Sequence, residues 1–458
     1  MADQRSKLAR LLRQASTVEQ QLLLVYLYTI FSLKTGPDAT CSAAEWESVR
    51  RWYSKMLMIA RQEMEHLSLV QSMLLAIGEK PYFDRDNLVT VPPPEVEGLA
   101  QTPQPIQFPI QLQPFNKQTI EQYVCVESPS WETLVAYHQP IPTWCFTDDE
   151  NHKNCVLQSF ESYIDLDGAK PDEEIGAGSI EILYRHIRDL IEDLDESAFE
   201  SPYNQAEVVS EYQIFVFPVT GKASALAAVD LITKQGEGSN ASHTYTSHFR
   251  VFSDILKELE TLLKRNPRFE PAYAWQVVHS AAEIPDEKTR DIFTLLNEAY
   301  VSLALILAGF YYRFSSASGL SITLQQAAFA PMMTMVIRPL FEILARLPID
   351  GQPDGPRTGP TFYLTPEERQ VLADPSITTH YNLRDINLYV DRMDKLRDRL
   401  ERLRREDYPE SVRRDLDFMY QNVYRLSNNL TQIFTQGLLP ELASIMGSAT
   451  CSLLALKK

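Results

Sequence analysis

Glu19, Glu63 and His66 are the residues whose types and spacing best fit a chemical task, and that task is holding a metal ion. Glu63 and His66, in the run EMEH, stand three apart, so a helix puts both on one face. That face is otherwise apolar, running from Ile59 to Val70. A carboxylate in a core stripe is costly unless it is paired or bound to a cation. Glu19 sits in the same predicament among Leu12, Ala15, Leu22, Leu23 and Tyr26. Two neighbouring helices, each carrying an inward carboxylate and one adding a Glu-x-x-His pair, form half of a carboxylate-bridged metal site. A buried ion pair is the competing reading of Glu19. Carboxylate and neutral imidazole together suit iron, manganese or zinc.

The other half is less sharply written. His248 lies on the stripe Phe252, Ile255, Leu259 and is either a ligand or a core histidine. Glu237, in QGEG, either reaches inward from a helix end or serves a turn. Glu181 is the acid of the next helix, but at about 100° per residue it falls roughly 140° from the centre of its apolar stripe; an exposed first-turn Glu favouring the helix dipole is the alternative. Tyr245, one turn before His248, is a candidate donor or redox-active neighbour, against plain core packing. Glu65 is expected to face solvent, and Asp230 to be a surface charge.

These residues need helices to position them. Apolar spacing predicts one from about Ser6 to Lys34 and a second from an N-cap at Ser42 to Ile77, stopped by Gly78. From Pro81 to about Pro171 proline is dense, which excludes long helices and favours loops or short strands such as Gln122–Val126. Further helices are expected over Ser179–Leu194, Ala223–Gln235 (ended by a QGEG turn), Thr246–Leu263, Glu287–Phe314 and Thr323–Leu347, with Tyr212–Val219 strand-like. Residues 1–365 would then form a bundle with insertions at about 81–175 and 197–222. Residues 366–458 would form a separate helical hairpin or small bundle, suited to homodimerisation.

Composition narrows the function. The 458 residues carry 61 acidic against 43 basic side chains, a formal charge of −18, so nucleic acid is not an expected partner. The basic stretch Arg397–Arg405 alternates with acids and reads as a solvated helix face. Five cysteines without C-x-x-C spacing point to a reducing compartment. The N-terminus has no apolar signal core, and the longest apolar run, Tyr300–Tyr312, is shorter than the ~20 residues of a span. A cytoplasmic protein with no membrane contact is expected. There is neither a phosphate-binding glycine loop nor a dinucleotide fingerprint.

The stretches VEQQLLLVYLYTIFSLK, QEMEHLSLVQSMLLAIGEKP, SIEILYRHI, LITKQGEGSN, SHFRVF, PLFEILARLPI and TGPTF occur here in an order that resembles the ferritin-like domain of the iminophenyl-pyruvate dimer synthase family, known from violacein- and rebeccamycin-type pathways. The resemblance covers roughly residues 8–363. It implies a ferritin-like bundle, mainly α, with Glu19, Glu63, His66, Glu237 and His248 at family positions. Two positions depart. The family's third-helix Glu falls on Ile182, with Glu181 one place early, and Lys234 replaces an acid beside Gln235. The resulting expectation is a mono- or di-iron oxidase or oxygenase acting on a small molecule in specialised metabolism. A metal-poor scaffold or binding protein is the alternative, and iron storage ranks below both. The family's larger enzymes couple their substrates with a haem-containing part not visible here, so the dimerising step is not carried over.

Overall fold

The computed structural model describes residues 2–88, 110–128, 179–199, 217–237, 247–313 and 328–436. Helices dominate, and the only β pairing among the described residues is three isolated bridges. The expected mainly α, ferritin-like bundle class is what is found.

α1 (Ala2–Ser32) and α2 (Ala43–Ala76) form an antiparallel pair. α2 begins where Ser42 and Glu45 satisfy each other's backbone, Glu45 Oε2 accepting from Ser42 N at 2.8 Å. It ends at Gly78, whose φ of 74° suits a residue without a side chain. The register of the pair is fixed by Gln71, which donates to Ser16 Oγ at 2.7 Å and takes the amide of Tyr82 at 2.8 Å. That register brings Glu19 level with Glu63 and His66.

α3 (Lys117–Val126) corrects the strand expected at Gln122–Val126. Asn116 caps it through the amide of Thr119 at 2.9 Å, and Ile120, Tyr123 and Val124 are buried. Helix packing overrides the β preference of this β-branched and aromatic run. α4 (Ser179–Asp193) and α5 (Lys222–Ile232) follow, α5 passing into a π-helical turn, Thr233–Glu237, where the sequence suggested a plain QGEG turn. α6 (His248–Arg265) starts at the cap Ser247, so His248 opens the helix. Glu258 on α6 accepts from Trp52 Nε1 at 2.8 Å and Ser48 Oγ at 2.8 Å, aligning α6 antiparallel to α2. Of the strand-like Tyr212–Val219, residues 212–216 lie outside the described residues and 217–219 form no strand.

α7 (Glu287–Arg313) is long and apolar enough to cross a membrane by length and composition, which the apolar run alone did not suggest; 78% of its most apolar window is buried inside the protein. The helix expected over Thr323–Leu347 is instead π-helical over Ala328–Ile337 and becomes α8 (Arg338–Leu344). Pro331 and Pro339 each remove a backbone donor from this stretch, and wider winding accommodates such losses. α9 (Pro366–Ala373), α10 (Ile386–Leu403) and α11 (Glu410–Gln436) complete the described chain, α10 and α11 pairing with each other and against α7 and the π segment. Cys41 is free and buried, and Cys125 is disulfide-bonded.

Candidate metal centre

The structure gathers Glu19 from α1, Glu63 and His66 from α2 and His248 from α6, and adds Glu127, the residue that ends α3. All five are fully or almost fully buried. Glu63 is central. Its Oε2 lies 3.3 Å from His66 Nδ1, and its Oε1 lies 3.0 Å from His248 Nδ1. On one side Glu19 Oε2 stands 3.4 Å from His66 Nδ1; on the other, Glu127 Oε1 stands 3.5 Å from His248 Nδ1. Two Glu–Glu–His groups thus share one carboxylate, the arrangement of a bridged pair of cation positions.

The surroundings of the two halves match. His66 Nε2 meets Gln235 Oε1 at 2.8 Å, and His248 Nε2 meets Gln62 Oε1 at 3.1 Å. Gln235 Nε2 donates to Glu65 Oε2 at 3.1 Å, which orients the amide so that its oxygen must accept from His66. The proton of a neutral His66 therefore sits on Nε2 and leaves Nδ1 as the inward lone pair, the usual preparation of a metal-binding histidine; His248 meets Gln62 through the same nitrogen. A phenol holds each outer carboxylate: Tyr184 donates to Glu19 Oε1, leaving Oε2 toward His66, and Tyr26 donates to Glu127 Oε1, the oxygen that also stands 3.5 Å from His248 Nδ1. Tyr26 itself packs edge-on to Tyr123 and against Phe252, which locks α1, α3 and α6 under the site.

Burial and mutual charge shift all five titratable groups of the cluster. Burial pushes the Glu19 carboxyl up to about 7 despite His66 beside it, and burial raises Glu127 as well. Burial acts the same way on Glu63, but the two histidines outweigh it and hold Glu63 well below the carboxylate range. For the imidazoles burial opposes charge, yet the facing carboxylates win, raising His66 strongly and His248 to about 9. Glu19 Oε2, both oxygens of Glu63, Glu127 Oε2 and both Nδ1 atoms find no hydrogen-bond partner among the described residues. Such orphaned buried atoms, converging with the right donor types, fit a metal ion: these residues could hold one or two.

Other expected site residues fall elsewhere. Glu181 is half-buried and belongs to neither group, while its neighbour Ile182 is buried; α4 contributes Tyr184 instead. Lys234 faces solvent, so its charge does not oppose a cation. Asp230 pairs with Arg188. Glu65, expected in solvent, is buried and joins the Gln235 contact. Tyr245 and the side chain of Glu237 lie outside the described residues. Glu127 escaped the sequence reading, although Ile120, Tyr123 and Glu127 carry helical spacing that could have revealed it.

The chain is similar to several known proteins. Dichlorochromopyrrolate synthase of Lentzea aerocolonigenes is 25% identical over 393 residues, covering 79% of this chain and 36% of the relative. A 2-imino-3-(indol-3-yl)propanoate dimerase of Chromobacterium violaceum is 23% identical over 380 residues, covering 77% and 34%. The chain thus spans about a third of the length of these relatives, whose names match the family resemblance seen in the motifs. A ferritin-like protein of Caulobacter vibrioides, 20% identical, superposes with a TM-score of 0.41 over 77% of this chain and 98% of its own. The family model described as Ferritin-like matches residues 12–257, the segment that carries every one of the five clustered side chains, and the chain belongs to that family.

Proposed function

We propose that the protein is a non-haem iron oxidase or oxygenase acting on a small organic substrate in specialised metabolism. The observation that carries this reading is the pair of buried Glu–Glu–His groups sharing Glu63, with their inward atoms unpartnered. Bound iron would supply electrons to dioxygen, chemistry that protein side chains lack. The chain's own residues do the rest. Glu63 offers one oxygen to each half and fixes their separation. Gln62 and Gln235 keep both imidazoles turned with Nδ1 inward. Tyr184 holds Glu19 by Oε1 and leaves Oε2 for the centre, while Tyr26 holds Glu127 by Oε1 and leaves Oε2 unpartnered. Full burial keeps bulk water from the reacting region.

The relatives' names describe a synthase and a dimerase of indole-derived compounds. We carry over the class of specialised oxidative metabolism and leave the dimerising step to those longer proteins. Of the three residues that favour a scaffold, Ile182 is offset by the Glu127 carboxylate, Lys234 is exposed, and Tyr245 lies outside the described residues. The test is metal content by plasma mass spectrometry after anaerobic ferrous loading and desalting. One or two irons per chain, absent in Glu63→Ala, together with substrate-dependent oxygen uptake, support the proposal. A wild-type protein that retains no iron, or only zinc, overturns it.

A further inference from the structure

A second chamber lies back to back with the metal centre. Its volume is about 270 Å³, and its walls come from α1, α2, α7, the π segment and α8. On α1 it is lined by Gln20, Leu23, Leu24 and Leu27, and on α2 by Leu57, Arg61 and Met64. At about 100° per residue Gln20, Leu24 and Leu27 lie about 80–140° around α1 from Glu19, and Leu57, Arg61 and Met64 about 100–160° around α2 from Glu63, while Leu23 and the further lining residue Leu67 lie about 40° from them. α3 and α6, which bring Glu127 and His248 to the metal centre, contribute nothing to the chamber lining, and α7 and α8 contribute nothing to the metal ligands. The α1–α2 pair is therefore a wall between two compartments.

The lining has a distinct chemical character. Aliphatic side chains dominate, and Leu23, Leu27 and Leu307 stay half-exposed because they face the cavity rather than packed neighbours. In a chain with a formal charge of −18, the lining contains two arginines, Arg61 and Arg338, and no Asp or Glu. Arg338 is paired with Glu342 at 2.9 Å. Arg61 is exposed and makes no ion pair or hydrogen bond among the described residues. Tyr300, another lining residue, accepts at its hydroxyl from the buried Arg85 at 3.0 and 3.2 Å, and its own proton has no acceptor among the described residues. Arg61 and the hydroxyl proton of Tyr300 thus favour an anion.

We propose that this chamber binds a linear apolar carboxylate, a medium-chain fatty acid, with its tail between the α1–α2 pair and α7 and its head group on Arg61. The volume sets the size: a cavity of about 150 Å³ holds one benzene ring, so this one admits a chain of medium length. The charge sets the head group, since an unpaired arginine beside apolar walls selects carboxylate over alcohol or amine. The site is independent of metal.

Titration calorimetry with decanoate and decylammonium, each below its micelle concentration, and with decanol below its solubility limit tests the proposal. Decanoate should bind saturably at one per chain, decanol about tenfold more weakly and decylammonium not at all, a hydrogen bond to a charged partner being worth about that factor. Arg61→Gln should bring decanoate down to the level of decanol. Leu27→Phe and Leu307→Phe, which fill the chamber, should each reduce binding at least tenfold; the variant that keeps the wild-type melting temperature is the one scored. Chelator-treated protein and Glu63→Ala should bind decanoate as the wild type does. Absence of saturable decanoate binding, equal binding of decylammonium, indifference to a folded chamber-filling variant, or loss of binding with the metal would each overturn it.

Discussion

Glu63 and Glu127 make different predictions although both are buried ligand-type carboxylates. Glu63 serves both halves, so Glu63→Ala should abolish metal retention altogether. Glu127 serves only the His248 half, so Glu127→Ala should retain about half the wild-type iron, as read by plasma mass spectrometry on desalted protein; equal losses would show that the halves do not fill separately. Gln235 touches no inward atom, yet it fixes the His66 tautomer. Gln235→Leu should therefore weaken metal binding about 10- to 100-fold, the usual cost of losing such a contact, measured by competition with a chelator of known affinity. At this scale the sequence was readable where a charge interrupts a long apolar stripe, as at Glu19, Glu63 and His66. It was not readable at Glu65, because which face of α2 is buried depends on α5 arriving against it with Gln235.

Among the elements, the π-helical turn after α5 does most to shape the centre. It carries Gln235 to His66, and it brings the backbone of Gly236 so close to His248 that a Cβ there would stand 2.6 Å from Nδ1. Gly236→Ala should push the His248 ring aside and selectively empty the Glu127 half, leaving the Glu19 half loaded; metal stoichiometry beside that of Glu127→Ala checks this. The caps at Ser42 and Ser247 and the stop at Gly78 are local signals, and the helices they bound fall close to where side-chain chemistry places them. α3 is the instructive exception. Its surrounding prolines exclude long helices but leave room for a capped helix of 10 residues, and that short helix ends on a carboxylate of the cluster. The π segments have no comparable signature, since their winding answers to packing and to lost backbone donors rather than to periodicity.

For the molecule as a whole, the centre concentrates three carboxylates and two imidazoles inside a helical core. A cation bound only by the folded state adds about 2.7 kcal/mol at a hundredfold excess over its dissociation constant. Thermal unfolding followed by circular dichroism should show a higher midpoint for ferrous-loaded protein than for chelator-treated protein, and no such difference in Glu63→Ala. An unchanged midpoint on loading would mean that the cluster is satisfied by its own protons.

The matching of the two halves bears on what happens when different metals compete. Each half offers a newcomer a carboxylate backed by a phenol, an imidazole backed by an amide, and one oxygen of Glu63. Donor type gives neither position a preference of its own. Offered ferrous and manganous ions together, the protein should take up like and unlike pairs in the random proportions set by its overall uptake of each. Native mass spectrometry would resolve those populations, and sorted pairs would reveal a bias that the five ligands do not encode.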